Sequence, residues 1–411
     1  VRNRRLLRER ALNFSRRRRI AHGAHHDKTG AMRILYSHRT RSADGQFVHI
    51  RELTDALKRR GHEIVMAGPG ADEKPLNAQT SGALRRLPPA IYECAEFAYS
   101  FPAYRRLATL AARAAPDILY ERYNLFFHAG AWLKKRRAMP MMLEVNAPLA
   151  GERVAHGRLF WKAFARRSEA SIWRAADAAL AVSAVVGEHL LAAGLAEDKI
   201  HIIHNGACGD FLRERNGDAV RARYGLEGKI VLGFAGFLRD WHGAHRAVNF
   251  MAEQNRSDLH LLFVGDGPAR EGLDKLATAR GVEERITITG VVQRDAAPDY
   301  MAAFDIALQP AATAYASPLK LFEYMALAKP ILAPSQANIR EILAHGEDSF
   351  LFDAEAPDAF DKALLELIDN AELRRRLGAG ARATLERRDF TCDANARRVE
   401  TIAENLLRKR R

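Results

Sequence analysis

Residues 317–326 read Ser-Pro-Leu-Lys-Leu-Phe-Glu-Tyr-Met-Ala, and their setting decides the fold. An apolar strand, Phe304 to Leu308, precedes them across a polar, Ala-rich loop, and a second strand, Pro330 to Leu332, follows. With Ser317 as N-cap and Pro318 in the first turn, the stretch itself predicts a helix. Strand, loop, helix, strand is a unit of an α/β layer, and it aims a helix N-terminus at the mouth of a sheet. Unpaired N–H groups there make an anion site. Lys320 and Glu323 are three residues apart and share one helical face. A cation beside N–H groups suits a phosphate, and a carboxylate one turn later suits a pair of sugar hydroxyls. A capped helix with an exposed Lys–Glu pair accounts for these ten residues equally well.

The same alternation runs through the whole chain, which predicts α/β layers. Ile34-Leu35-Tyr36 and Ile64-Val65-Met66 read as strands around a helix from Phe47 to Arg60, whose Val48, Ile50, Leu53 and Leu57 form an apolar stripe. Strands near 118–120, 141–145, 179–182 and 200–203 complete a first series. After a helical connector at 218–224, a second series follows at 230–234, 259–264, 285–288, 304–308 and 330–332, with 350–352 as an edge. The expectation is two tandem Rossmann-like, doubly wound domains facing across a cleft. They span residues 32–205 and 206–392, and a charged helix and basic tail over 393–411 lie on the surface. Open parallel sheets bind ligands outside the carboxyl ends of their strands, and clefts between domains are common ligand sites.

A chain of 411 residues, 48% of them apolar, has material for two sizeable cores. The longest apolar run, 178–196, is broken by Glu188 and His189 and is not a membrane span. The net charge is +14, but residues 1–31 hold ten Arg and Lys against Glu9 and Asp27, which leaves +6 for the rest. This segment lacks the apolar core of a secretory signal and reads as a basic extension outside the fold, with the natural start at Met32. With the charge concentrated there, no nucleic-acid partner is expected. Cys94, Cys208 and Cys392 lie far apart and make neither a zinc spacing nor an even disulfide set, which points to a reducing, cytoplasmic setting. No Asp-x-Asp, His-Glu-x-x-His, Walker A or Gly-x-Ser-x-Gly pattern occurs, so neither a metal nor a cofactor is expected.

Residues 230–243, IVLGFAGFLRDWHG, run a buried strand into Gly236 and a loop with Arg239, Trp241, His242 and Gly243. Glycines let backbone approach a phosphate and the loop supplies cations, although a tight strand-to-helix turn has the same look. Residues 261–268, LLFVGDGP, place Arg270 where a dinucleotide fingerprint needs its third glycine, which disfavours a nicotinamide oxidoreductase. Thr289 to Val292 follow a strand and either present backbone to a nucleobase or form a plain loop. Residues 158–174 interleave Phe160, Trp161, Phe164 and Trp173 with Arg and Lys. That pattern suits an anionic bilayer surface, and equally a helix with its aromatic rings in the core.

In order and spacing these motifs resemble the family 4 glycosyltransferases, retaining enzymes of the two-Rossmann-domain GT-B type, over nearly all of residues 32–400. Asp44 to His49, Val182-Ser183, His204-Asn205-Gly206, Gly236, His242-Gly243, Val264 to Pro268 and the 317–326 helix carry the resemblance. Tyr120 to Tyr123 and Leu143 to Pro148 resemble a subgroup linked to exopolysaccharide assembly. The resemblance implies a nucleoside-diphosphate sugar in the C-terminal domain. Val292 backbone would meet the base, Glu323 the ribose, and Arg239, Lys320 and the Leu319 N–H the diphosphate, with Arg239 and Lys320 as the catalytic cations. Gly45, Gln46, Gly236, His242, Gly243, Gly267 and Pro318 would complete the donor site. Glu121, Arg122 and Asn146 would face a glycan or lipid-linked acceptor at the cytoplasmic side of a membrane. Phe237 and His242 stand where the family usually has Arg and Lys, Tyr315 where it has the first Glu of a Glu-x7-Glu pair, and Asn146 where it often has His. These departures leave room for a catalytically weakened nucleotide-sugar-binding or partner protein of the same fold, or for a nucleotide-sugar epimerase.

Overall fold

Twelve parallel strands form two six-stranded sheets in this computed structural model, which describes residues 30–40, 45–68, 88–155, 157 and 159–410. The basic stretch up to residue 29, together with Asp44 and Arg158, lies outside the described residues. The first sheet comprises β1 (Arg33–Ser37), β2 (Glu63–Ala67), β3 (Ile118–Arg122), β4 (Met141–Val145), β5 (Ala178–Ala181) and β6 (Ile200–Ile202), in the order β2-β1-β3-β4-β5-β6. The second comprises β7 (Ile230–Ala235), β8 (Leu259–Val264), β9 (Ile286–Ile288), β10 (Ile306–Leu308), β11 (Ile331–Pro334) and β12 (Phe350–Phe352), in the order β12-β11-β10-β7-β8-β9. β3, β4 and β8 are buried at every position, because helices cover both faces of a parallel sheet. Strand order reverses between β1 and β3 and between β7 and β10. At such switch points neighbouring loops part and leave a crevice.

The two Rossmann-like domains are joined by two crossings of the chain that run side by side. The Ala207 N–H donates to Phe390 O (2.9 Å) and the Cys392 N–H to Ala207 O (3.0 Å). A Cβ on Gly206 would lie 2.8 Å from the Thr391 carbonyl carbon, so only glycine permits this approach. The structure here corrects the reading of the cysteines. Cys208 and Cys392, 184 residues apart, are joined as a disulfide across the crossings, with Cα atoms 5.2 Å apart. Sequence spacing hides a contact that the fold makes. The Glu52 carboxylate lies beside the two sulfurs, but it faces Arg294 and the sulfurs bond each other, so the group is not arranged to hold a cation.

The helix Cys392–Arg408 returns to the first domain and packs on it by one face. Ala396, Val399 and Ala403 pack with Ile50, Leu53 and Leu57 of the Gly45–Arg59 helix. Each Val, Leu or Ile side chain so buried contributes roughly 1.5–3 kcal/mol, and each alanine methyl about 0.8 kcal/mol. Buried Glu400 receives Arg60 and His62 Nε2, the latter at 3.2 Å, which pins the helix across the turn at Gly61. Among the described residues no helix is long and apolar enough to cross a membrane.

Candidate active site

The crevice of the second sheet lies between the loops that follow β7 and β10. β7 leads directly into Gly236, whose φ of +124° only glycine adopts readily. A Cβ on Gly265 would sit 2.2 Å from Gly236 O, and one on Gly267 2.2 Å from Leu238 O. Gly267, expected at the donor, is therefore a backbone spacer that lets the 236–238 loop lie flat on the loop after β8. The helix Leu319–Ala326 begins one residue later than the sequence suggests. Pro318 is the N-cap (φ −65°, ψ 121°) and no side chain caps the first turn. Ser317 is drawn away instead: its Oγ accepts the Asn205 N–H at 3.1 Å, and its carbonyl accepts Asn205 Nδ2 at 2.6 Å.

Lys320 reaches from this helix toward Gly236. Its flank is half-exposed but Nζ is buried, 3.6 Å from the centroid of the Phe234 ring, with no hydrogen-bond partner among the described residues. Burial pushes the ammonium down to about 7, with Glu323 working the other way. His242 lies within the field of both cations. Burial first, then Lys320 and Arg239, push its imidazole down to about 3, so it is neutral, and its Nδ1 is buried without a partner among the described residues. Arg239 is clasped between the exposed rings of Phe237 and Trp241, 4.7 Å from each centroid. Phe237 thus holds a cation where the family pattern places one. Gly243 (φ +67°) starts the Ala244–Glu253 helix against Ala311. The structure therefore gathers Gly236, Arg239, His242, Gly243, Pro318, Leu319 and Lys320 around one crevice.

Glu323 is not half of an exposed pair. It is buried, and its Oε1 accepts Arg294 Nη1 at 2.6 Å. The same guanidinium gives Nη2 to Glu52 Oε1 of the first domain at 2.8 Å and lies 4.6 Å over the Phe211 ring. Burial pushes the Glu52 carboxyl up, and Arg294 opposes it. Removing the shared cation leaves two carboxylates facing each other. Arg294→Met should therefore lower stability by about 2–3 kcal/mol in denaturant titration; an unchanged midpoint would show that the contact is incidental. Val292 sits in the loop after β9, its side chain against the second core, next to Gly290, which bridges to Gly265.

In the first domain the hub is Glu144, buried on β4. It receives Tyr120 OH (2.7 Å), Asn146 Nδ2 (2.7 Å), His49 Nε2 (3.2 Å) and the Arg122 guanidinium. Burial works to raise its pKa, yet Arg122, His49 and Asn146 hold it well below the ordinary carboxylate range. Arg122 and Asn146 are thus committed to Glu144 rather than turned to an acceptor. Glu121 is a second correction. It is fully buried, takes Ser37 Oγ at 3.0 Å, and burial pushes its carboxyl up to about 8. It is a neutral group of the core, because helices cover both faces of β3 and Gly130 of the covering helix packs against its carboxyl. Gly45 and Gln46 open the Gly45–Arg59 helix, beyond the carboxyl end of β1.

Residues 43–207 match the family model for Glycosyltransferase Family 4, and residues 218–384 that for Glycosyl transferases group 1. The chain carries both domains of a GT-B glycosyltransferase. It is 29% identical over 305 residues to D-inositol 3-phosphate glycosyltransferase of Streptomyces scabiei (strain 87.22), covering 68% of this chain and 66% of the relative. It is 26% identical over 164 residues to alpha-D-kanosaminyltransferase of Streptomyces kanamyceticus, covering 39% of this chain and 42% of that one. These matches therefore span less than two-thirds of the relatives' own length. Anabaena Alr3699/HepE, solved with UDP-glucose, shares the fold at a TM-score of 0.70 and 17% identity, covering 91% of this chain and all of that one. Sucrose-phosphate synthase (tll1590) from Thermosynechococcus elongatus shares it at 0.72 and 16% identity, covering 92% and 100%.

Contacts between the family 4 and group 1 domains line the cleft. Tyr315 OH donates to Glu152 Oε2 at 2.7 Å, and Ser183 Oγ donates to Tyr315 O at 2.7 Å. A carboxylate from the family 4 domain thereby stands beside the tyrosine that replaces the expected glutamate. Glu341 of the group 1 domain accepts the Ala184 N–H at 2.7 Å, capping the Ala184–Ala192 helix across the cleft. Burial pushes that carboxyl up to about 7, against the Ala184 and Val185 N–H groups. Glu52, Glu144, Glu152, Arg294 and Glu341 were not among the residues chosen from the sequence. His49 and Glu144 lay inside quoted motifs, so their polarity within apolar strand and helix patterns was a usable signal. For the others, partners 157–242 residues away left none.

Proposed function

We propose that this chain transfers a sugar from a nucleoside-diphosphate sugar to a glycan or lipid-linked acceptor, with retention and without a metal ion, in the assembly of a surface polysaccharide. One observation carries the donor site: Lys320 Nζ, buried and without a hydrogen-bond partner, beside Gly236 and the uncapped first turn of the 319–326 helix. A diphosphate supplies the acceptors that this ammonium and these N–H groups call for. The UDP complexes of Anabaena Alr3699/HepE, a protein of the same fold, support a nucleotide as the ligand.

As the bond between the anomeric carbon and the diphosphate oxygen breaks, negative charge grows on the phosphate, where Lys320 and Arg239 stabilise it. The acceptor hydroxyl bonds to that carbon and its proton passes to the departing phosphate. Ribose hydroxyls would compete with Arg294 for Glu323, so donor binding is coupled to release of Arg294 and to the Glu52 contact between the domains. A thermal-shift screen of UDP, GDP, ADP and their sugars tests the reading. The true nucleotide at about a hundredfold over its Kd should add about 2.7 kcal/mol. Transfer should persist in excess EDTA. Loss in EDTA with rescue by manganese or magnesium would contradict metal independence, and no shift with any nucleotide would sink the donor site.

A further inference from the structure

The family 4 domain carries an aromatic surface that the transfer chemistry does not use. Phe160 and Trp161 are 59% and 47% exposed and meet edge to face, 5.0 Å between centroids. Their placement is built rather than accidental. Glu93, 2% exposed on the helix Pro89–Ala98, accepts the backbone N–H groups of both at 2.5 and 2.8 Å and holds the pair outward. Phe164, one turn on and 42% exposed, touches Phe97, and Phe97 in turn touches the 56% exposed Phe101. Four large rings in solvent, on the helices Ser100–Ala114 and Lys162–Ala175 and the segment leading into the latter, form a patch of a kind that marks an interaction site.

Charge says what covers it. The helices Ser100–Ala114, Ala129–Arg137 and Lys162–Ala175 hold eleven Arg and Lys between them and one carboxylate, Glu169. Glu169 is buried under Tyr123 OH. Arg105 follows Phe101 by one turn, Lys162 adjoins Trp161, and Lys135, Arg136, Arg166 and Arg167 are exposed; none of these six is in an ion pair among the described residues. A second copy laid on this face would set cation against cation. An anionic bilayer offers what the surface lacks: a negative headgroup layer for the cations and an acyl boundary for the rings.

We propose that this face docks the protein on an anionic lipid bilayer. It adjoins the cleft, because Arg153 pairs with Glu96 on the Pro89–Ala98 helix while the preceding residue, Glu152, meets Tyr315. Docking would set the acceptor side of the cleft beside the membrane, and it does not depend on which nucleotide the donor carries.

Co-sedimentation of the full chain with phosphatidylglycerol–phosphatidylcholine vesicles tests it. Binding should be strong at low salt, fall steeply with added salt and be absent on phosphatidylcholine alone. Phe160→Ser with Trp161→Ser, and separately Arg166→Glu with Arg167→Glu, should each weaken binding by about tenfold or more with the melting temperature unchanged. The charge pair decides should the aromatic pair misfold. Equal binding by both variants would assign it to the basic amino-terminal stretch and overturn the proposal. So would equal binding to neutral vesicles, or no vesicle binding with a concentration-dependent dimer that Phe160→Ser with Trp161→Ser abolishes.

Discussion

Lys320→Ala should slow turnover by about a hundredfold to a thousandfold while weakening donor binding far less. The reason is differential: a buried cation gains most where charge grows, and charge on the diphosphate grows only as the sugar leaves. The pH dependence gives an independent readout. In the free protein Lys320 titrates near 7. A bound diphosphate favours the ammonium and raises that value, so between the free and bound pKa values binding takes up one proton. Donor affinity should then fall about tenfold per pH unit above neutrality, and calorimetry in buffers of different ionisation enthalpy should detect the proton. The sign for stability follows. A lysine whose folded pKa lies below its unfolded value costs the native state most at and below the folded pKa, and the cost fades as pH rises toward the ordinary lysine range. Lys320→Met should therefore melt higher than the parent at pH 6 to 7, with the gain shrinking above. Near-normal turnover and pH-independent donor affinity would remove Lys320 from the reaction.

Glu144→Ala should be the most damaging single change in the first domain. It strands the Arg122 guanidinium, 7% exposed, and leaves Tyr120, Asn146 and His49 without their shared acceptor. Removing one partner of a buried pair costs about 3–5 kcal/mol. For a domain of this size that lowers the melting temperature by roughly 10 °C. Its neighbour on β3 should behave oppositely. Glu121 is held neutral, with its carboxyl at about 8, so the protein loses stability as pH rises from the ordinary Glu value toward 8. Glu121→Gln should match the parent at acid pH and exceed it near pH 8. Calorimetric scans of both variants would decide, and a change under about 1 kcal/mol for Glu144→Ala would mean that the hub is not one.

Much of this was legible in order along the chain. Strand periodicity gave the two sheets, and glycines at strand ends marked the loops. Lys320, Gly236 and His242 could be picked because each sits just past a strand or in the first turn of a helix, where parallel sheets expose backbone. What escaped notice shares one cause. Loops at the carboxyl end of a parallel sheet meet loops from far away, so Glu323 finds Arg294 29 residues upstream, and Arg294 finds Glu52 242 residues away. Cys208 and Cys392 met for the same reason. Glu121, Arg122 and Asn146 misled in another way. Polar residues at strand ends look like site groups, and only packing shows that Arg122 and Asn146 serve Glu144 while Glu121 is sealed in the core.

The helix Cys392–Arg408 ties together two stretches of the chain that lie 340 residues apart, as in the Arg60–Glu400 pair. A ribosome delivers residues in order, so Ile50, Leu53 and Leu57 emerge long before Ala396, Val399 and Ala403 and wait for them. Until then the first domain carries an open apolar stripe that chaperones or neighbouring nascent chains can occupy. A stop codon before this helix, or a proteolytic nick within it, is accordingly a lesion of the first domain.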